Sequence, residues 1–114
     1  MEVARGAVYW ADLNPTRGTE QAGHRPVLVV QTDRANTASP HTVIVPFTTK
    51  IRQALLPSHV FVRAGTGGLP EDSVALCEQI RVCDRSRLGQ RVGTLPSQVM
   101  DRVGQALKAI LDLR

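Results

Sequence analysis

Two short segments of the chain combine an apolar run with polar groups that could contact a phosphate. Arg25 precedes the apolar run Pro26–Gln31, and Thr48 and Thr49 close a second run that begins at Thr42. In an antiparallel pairing of two such strands, the start of one lies beside the end of the other. A permanent guanidinium charge would then lie next to hydroxyl groups. This combination suits a clamp for a phosphate whose negative charge grows in a transition state.

Each of these residues also has a simpler interpretation. Arg25 could bond a neighbouring carboxylate such as Glu20, and Thr48 could be an ordinary strand-end hydroxyl. His24, next to Arg25, carries the side chain best suited to proton transfer near neutral pH, but it could equally be a loop histidine. The residue types alone do not decide between these interpretations.

The sequence signatures of several common enzyme classes are absent. The chain has no GxxxxGK phosphate loop, no GxSxG nucleophile elbow and no HExxH zinc motif, and its Gly-rich loop at 64–70 precedes no helix. The three histidines have no metal-ligand spacing, and the acidic residues are scattered except for Glu71-Asp72. We therefore expect an enzyme with this sequence to use neither a metal nor another cofactor.

Short β-type runs dominate the chain and must position these residues. Five runs of apolar and β-branched residues, each closed by turn residues, predict strands at Gly6–Leu13, Pro26–Gln31, Thr42–Phe47, His59–Arg63 and Ser73–Glu78. A further short strand near 91–93 would complete the sheet. Pro46, inside the third run, indicates a bend or a sheet edge.

The hydrophobic period changes at the C-terminus. Apolar residues recur there at helical spacing, namely Val99, Val103, Leu107, Ile110 and Leu111, with Met100 beside them. This pattern predicts one amphipathic helix from about Pro96 to Leu113, and a brief helical turn is expected at 84–88. The fold class is therefore mainly β with α: a small, mostly antiparallel barrel or strongly bent sheet with a helix packed on it.

Length and composition limit the function classes. A chain of 114 residues with 42% hydrophobic and 21% charged residues can bury a core, so we expect a single domain over residues 1–114. The apolar runs are too short to span a bilayer and the N-terminus lacks the layout of a signal peptide, so the expected location is the cytoplasm. Cys77 and Cys83 lack paired spacing and are expected to be reduced, small apolar residues in or near a strand.

The net charge of +4 comes from 14 basic residues, of which all but Lys50 and Lys108 are arginine. Arginine suits bidentate phosphate contact, so this balance points weakly to nucleic acid, although a solvated basic face explains it as well. If a base is bound by stacking, only four aromatic residues are available, namely Tyr9, Trp10, Phe47 and Phe61.

Three segments carry a resemblance to a known family. RGAVYWADLNPTRGTEQAGHRPVLVVQTD at 5–33, SPHTVIVPFTT at 39–49 and LPEDSVALCEQIRVCDRSRLGQRVGTL at 69–95 resemble the MazF/PemK family of toxin endoribonucleases. The match covers nearly the whole chain in order, wording and spacing. Ala7 is a departure, because family members usually carry an acidic residue after the first Arg-Gly pair, but no family catalytic role rests on that position.

The resemblance implies an SH3-like barrel of the MazF/PemK/CcdB type with appended helices. It also implies a homodimer that cleaves single-stranded RNA at short motifs without a metal, and a cognate MazE-type antitoxin that neutralises it. The family's catalytic pair falls on Arg25 and Thr48, with Thr49 as the second choice for the hydroxyl.

The resemblance points to four further residues for base recognition. These are Glu20 and Gln21 in the loop 16–23 and the step Glu78-Gln79, whose carboxylate and amide groups can read the edges of splayed bases. The alternative for Glu78 and Gln79 is a buried hydrogen-bonding pair that shapes the dimer. The bases that are read cannot be deduced from these residues.

Two other functions stay open at this point. CcdB-type toxins use the same barrel to poison DNA gyrase by protein contact, but depend on a C-terminal helix that ends in exposed apolar and aromatic residues, whereas this chain ends Leu-Asp-Leu-Arg. A catalytically silent RNA-binding barrel would bind RNA with the same salt dependence and leave it intact.

Overall fold

The computed structural model describes residues 2–51 and 55–114, and within these ranges seven antiparallel strands form one sheet that carries two α-helices. In chain order the elements are β1 (Ala7–Asp12), β2 (His24–Val29), α1 (Asp33–Ala38), β3 (His41–Thr48), β4 (His59–Val62), β5 (Ser73–Leu76), β6 (Arg81–Asp84), β7 (Leu88–Thr94) and α2 (Ser97–Leu111). The strand order is β4-β5-β3-β2-β1-β7, and β6 also pairs with β3. No pairing joins β4 to β7 among the described residues, so the predicted barrel is barrel-like but not closed.

Strand β3 is the centre of this architecture. Its residues 44–46 pair with β2, while its first half pairs with β6 and its last two residues, Phe47 and Thr48, pair with β5. Pro46 lies where β3 passes from β6 to β5, and a proline is tolerated at such a point because no ladder hydrogen bond needs its missing N–H. Pro46 therefore lies at a local gap in pairing along one side of β3, while its other side stays paired with β2.

Both faces of the sheet are buried, each by its own apolar cluster. Alternate residues of β1 point to opposite sides: Val8 packs in the cluster beneath α2, and Tyr9 and Ala11 pack in the other. Val103 and Ala106 bring α2 onto the first cluster. The almost continuous apolar composition of β2 and β3 follows from this double burial.

The predicted C-terminal helix is confirmed with shorter bounds. Pro96 occupies the N-cap position, and the helix runs from Ser97 to Leu111. Val99, Val103 and Leu107 face the core as expected. In contrast, Ile110 and Leu111 are 46% and 47% exposed.

Two elements differ from the sequence prediction. Helix α1 was not predicted; it is held by Asn36, which is buried and accepts hydrogen bonds from Gln31 and Thr42. The strand predicted at Ser73–Glu78 ends at Leu76, and a 3₁₀ turn leads from it into the unpredicted β6. A hydrogen-bond network to residues on either side of the helix holds α1, and a tight turn separates β5 from β6. Neither feature produces a periodic pattern of apolar residues in the sequence.

The two remaining predicted elements, a strand near 91–93 and a helical turn at 84–88, are present with different bounds or helix type. β7 begins at Leu88, earlier than the predicted 91–93, and the helical turn expected at 84–88 is a 3₁₀ turn at Arg85–Arg87. Cys77 and Cys83 are free and buried, and burial raises the pKa of both thiols, that of Cys77 to about 12. No helix in the described part of the chain is long and apolar enough to cross a membrane.

The close approach of β7 to the turn Thr66–Gly68 predicts a steric effect at Gly93. A Cβ on Gly93 would lie 2.5 Å from the carbonyl oxygen of Gly67, whereas one on Gly104 in α2 would meet nothing within 4 Å. We expect Gly93→Ala to lower the free energy of unfolding by about 1–3 kcal/mol through overpacking. Gly104→Ala should raise it by about 0.4–1 kcal/mol by restricting the unfolded chain. Urea unfolding of both variants measures this, and equal changes would contradict the packing described.

Candidate active site

The register of β2 against β3 places Arg25 opposite Thr48. The paired residues are Val27 with Pro46 and Val29 with Ile44, and continuing this register outward by two residues sets Arg25 across from Thr48. The two residues therefore lie at one end of two adjacent buried strands, as the sequence predicts. Rigid strands of this kind hold side chains in place better than loops do.

The guanidinium of Arg25 is fixed by two backbone carbonyls. Its Nε donates to the Ala22 oxygen at 2.8 Å and its Nη1 to the Phe47 oxygen at 3.0 Å. Within residues 2–51 and 55–114, no hydrogen bond engages Nη2 and no carboxylate pairs with the side chain. Glu20, the alternative partner, instead accepts from the Arg17 N–H at 2.9 Å. Partial burial lowers the pKa of Arg25, because it removes water from the charge.

Thr48 is buried, and among the described residues its hydroxyl hydrogen is free to donate to a ligand. Thr48 is 8% exposed, and its Oγ1 accepts from the Lys50 N–H at 3.1 Å. A hydroxyl that accepts one bond can still donate its own hydrogen. Thr49, which follows β3, is exposed.

Two cavities meet at Thr48, which lines both. The larger cavity, about 650 Å³, holds the four residues predicted for base recognition, namely Glu20, Gln21, Glu78 and Gln79. The smaller cavity, about 220 Å³, holds Arg25, His24 and Thr49. Every site residue predicted from the sequence therefore lines one of two adjoining cavities.

A network missed by the sequence prediction holds the carboxylate of Glu78 in the larger cavity. Its Oε1 accepts from the Ser58 hydroxyl at 3.0 Å, and its Oε2 lies 3.0 Å from His59 Nε2. The Leu56 N–H donates to His59 Nδ1 at 3.1 Å. Since Nδ1 accepts this bond, the ring proton is assigned to Nε2, which donates to Glu78. Both carboxylate oxygens are thus oriented, with lone pairs left for a ligand.

The opposite wall of the larger cavity is tied to the same turn. The Gln21 N–H donates to Gln79 Oε1 at 2.7 Å, which joins the loop before β2 to the turn before β6. Glu78 and Gln79 are half-buried and bond to these other segments rather than to each other. The alternative, in which this pair shapes a dimer, stays a prediction.

Arg81 supplies a cationic group to the larger cavity. Its Nη1 lies 3.8 Å from Glu20 Oε2, which is an ion-pair distance but too long for a hydrogen bond. This nitrogen is buried and has no hydrogen-bond partner among the described residues. A donor in that state costs free energy unless a ligand accepts from it. Arg81 therefore favours an acceptor, such as a phosphate or a carbonyl oxygen, in the cavity.

Aromatic stacking orders the smaller cavity. His24 is exposed and stacks on the half-buried Trp10, with ring centroids 5.2 Å apart and an interplanar angle of 12°. Of the other aromatic residues, Phe47 also lines this cavity, and Tyr9 and Phe61 line neither cavity. In the described part of the chain, no group of three or more His, Cys, Asp or Glu side chains is placed to hold a metal ion.

The residues that the sequence analysis missed are Ser58, His59 and Arg81. Ser58 and His59 reach Glu78 only because β4 pairs with β5 in the register His59 with Leu76. No spacing in the sequence reports that register. The one available signal was an isolated Ser-His pair at the start of an apolar strand.

Comparison with known proteins identifies the family of this chain. A family described as PemK-like, MazF-like toxin of type II toxin-antitoxin system matches residues 4–111. Endoribonuclease EndoA of Bacillus subtilis is 46% identical over 113 residues, which cover 99% of this chain and 97% of that protein. Endoribonuclease MazF of Staphylococcus saprophyticus is 40% identical over 109 residues, which cover 96% of this chain and 91% of that protein.

Solved structures show the same fold. MazF from Deinococcus radiodurans superposes with a TM-score of 0.84 at 27% identity, covering 99% of each chain. A mycobacterial endoribonuclease in complex with its cognate antitoxin gives a TM-score of 0.82 at 25% identity, covering 98% of this chain and 97% of that one. From its strands, its site and these relatives, the chain belongs to the PemK-like, MazF-like toxins of type II toxin–antitoxin systems.

Proposed function

We propose that this chain is a toxin endoribonuclease that cleaves single-stranded RNA at short sequence motifs. The observation that carries the proposal is that Arg25 and Thr48 line one cavity together, while Thr48 also lines the larger one. A strand of RNA laid across this point would place one phosphate at the pair and a base in each cavity. The endoribonuclease names of the relatives at 46% and 40% identity support the same activity.

The chemistry needs little from the protein because RNA carries its own nucleophile. The 2′-OH attacks the adjacent phosphorus in line, the 5′-oxygen of the next nucleotide leaves, and the products are a 2′,3′-cyclic phosphate and a 5′-OH. The enzyme must orient these groups, move one proton off and one on, and stabilise the charge of the phosphorane. DNA lacks the nucleophile and would bind without cleavage.

Arg25 acts as the electrostatic clamp on the scissile phosphate. The two carbonyl bonds through Nε and Nη1 fix the plane of the guanidinium and favour its cationic form, while Nη2 stays available for a phosphate oxygen. Donors held in place before the reaction need no reorganisation when charge develops. This arrangement favours charge stabilisation by Arg25 over removal of a proton, and it supplies the charge without a metal.

The hydroxyl of Thr48 donates a hydrogen bond to a non-bridging oxygen of the same phosphate. The bond from the Lys50 N–H orients Oγ1, which favours Thr48 over the exposed Thr49. His24 is the candidate for proton transfer, since it lines the same cavity as Arg25.

Base recognition takes place in the larger cavity. The fixed carboxylate of Glu78 accepts from base N–H groups, and Gln21, Gln79 and Glu20 supply further edges to read. Carboxylates and amides discriminate bases by such pairs.

The proposed partners are a MazE-type antitoxin and a second copy of the chain. The solved relatives include a complex with a cognate antitoxin and MazE–MazF complexes from Deinococcus radiodurans. An acidic, disordered antitoxin tail would imitate RNA at Arg25 and block it. A complex that left Arg25 accessible and RNA cleavage undiminished would refute this blockade. The homodimer implied by the resemblance stays a prediction.

The two alternatives are less well supported. The end of α2 exposes Ile110, Leu111 and Leu113, but the chain has no aromatic residue after Phe61, unlike the helix on which gyrase-poisoning toxins depend. A silent RNA-binding barrel is less well supported because the relatives at 46% and 40% identity are named endoribonucleases.

RNA cleavage by the protein gives a testable prediction. We expect the purified protein, in excess chelator, to cut a long single-stranded RNA at one recurring short motif. Arg25→Ala should reduce the rate at least ~100-fold, because one oxyanion donor contributes about that much. Mapping the new 5′ ends measures both. Arg34→Ala, an exposed arginine on α1, changes the charge equally and should cleave at the wild-type rate. Intact RNA with the folded wild type would refute the proposed activity.

The second prediction concerns the network around Glu78. His59→Ala removes a donor that orients the carboxylate, so roughly tenfold or more of the discrimination between the preferred motif and single-base variants should be lost. His59→Gln keeps a donor at the position of Nε2 and should retain most of it. Competition cleavage of an RNA library measures the preferences, with His41→Ala as the matched exposed-histidine control. If His59→Ala cuts the unchanged motif with unchanged selectivity, Glu78 does not read a base.

A further inference from the structure

The smaller cavity is built differently from the larger one. Trp10, Pro26, Phe47 and Pro70 give it an apolar and aromatic wall, and its two charged residues are Arg25 and Glu71. At about 220 Å³, against about 650 Å³ for the larger cavity, it suits one flat ring system rather than a length of chain.

The aromatic wall follows from the pairing of β1 with β2. Trp10 pairs with Pro26 and His24 with Asp12, so Trp10 and His24 are diagonal neighbours on one face of the sheet. The half-buried indole supports the exposed imidazole at a centroid distance of 5.2 Å. Both rings lie in the cavity that also contains Arg25 and Thr48.

We infer that the smaller cavity is a nucleobase subsite, in which the His24–Trp10 stack binds the base of a nucleotide that adjoins the scissile phosphate. This inference rests on the proposed function. Because Thr48 is shared by both cavities, a phosphate held by Thr48 and Arg25 has one cavity on each side, and consecutive bases can enter different cavities. Stacking on an aromatic wall holds the base flat while the phosphate is clamped.

The two cavities should therefore contribute differently to specificity. Every base has a π-face, so stacking on the His24–Trp10 wall tolerates any base. The larger cavity instead offers the oriented carboxylate of Glu78 and the amide of Gln79, which discriminate base edges. The smaller cavity would contribute affinity and alignment of the RNA, and the larger cavity would select the sequence motif.

The inference also changes the role expected of His24. If the imidazole acts as part of the stack, a flat apolar ring at this position should preserve KM even where kcat falls, and His24→Ala should raise KM. If it acts only as a proton carrier, both His24→Phe and His24→Ala should lower kcat and leave KM unchanged. The two roles therefore separate in steady-state kinetics.

Trp10 is the only tryptophan of the chain, so tryptophan fluorescence reports on this cavity alone. The probe is an RNA containing the mapped cleavage motif, with a 2′-O-methyl group on the scissile ribose so that it binds without being cut. We expect saturable quenching of Trp10 when this RNA binds the wild-type protein. For the unmodified RNA, Trp10→Leu should raise KM roughly 5- to 150-fold, the range for loss of one stacked base.

Two further variants keep the test decisive if Trp10→Leu folds poorly. His24→Phe should retain the KM of the wild type within about threefold, and His24→Ala should raise it by roughly fivefold or more. Phe61→Leu removes an aromatic ring that lines neither cavity and should behave as the wild type.

The outcomes separate the subsite from the proposed activity. Cleavage of unmodified RNA combined with unchanged Trp10 fluorescence on binding would overturn the subsite and leave the endoribonuclease intact. An unchanged KM in His24→Ala would do the same. Absence of cleavage by the folded wild type would refute the proposed activity, and the inference that rests on it.

Discussion

The site depends on one constraint, the antiparallel register of β2 against β3. Both strands are buried on both faces, and Val27, Leu28 and Val29 are held against Pro46, Val45 and Ile44. A slip of one residue would turn every side chain of a strand to the opposite face. It would also separate Arg25 from Thr48. The burial of these strands therefore sets the geometry of the two polar side chains at their ends.

The two arginines of the site have N–H groups for which a bound ligand could supply the hydrogen-bond acceptor. Arg25 is partly buried, bonded to two carbonyls and unpaired with a carboxylate among the described residues, and Arg81 has a buried nitrogen without a hydrogen-bond partner. Such groups cost stability in the free protein. Glu78 is the opposite case, since Ser58 and His59 donate to both of its oxygens. Both arginines thus keep an N–H group that can donate to a ligand acceptor, such as a phosphate oxygen. The carboxylate of Glu78 is already oriented to accept from the N–H groups of a base.

The two cavities divide the work of recognition between two parts of the fold. The larger cavity is assembled from the loop before β2, the start of β4 and the turn between β5 and β6. The Gln21 N–H bonds to the side chain of Gln79, and Ser58 and His59, where β4 begins, bond to the side chain of Glu78. The smaller cavity is assembled from β1, β2 and β3, where the stack of His24 on Trp10 spans a strand pair. Loop segments supply polar edges, while strands supply a rigid apolar wall, because strand backbone already has its hydrogen bonds satisfied.

The amino-acid sequence by itself determined the elements and residues whose evidence is local. Alternation in β1, the apolar runs of β2 and β3 and the helical period of α2 each report burial directly, and the GHRP and PFTT segments marked Arg25 and Thr48. Only the tertiary structure decided the helix α1, the strand β6 and the exposure of Ile110 and Leu111. It alone also brought Ser58 and His59 to Glu78 and His24 onto Trp10. These contacts depend on which strands pair and in which register, and pairing between distant segments leaves no period in the chain.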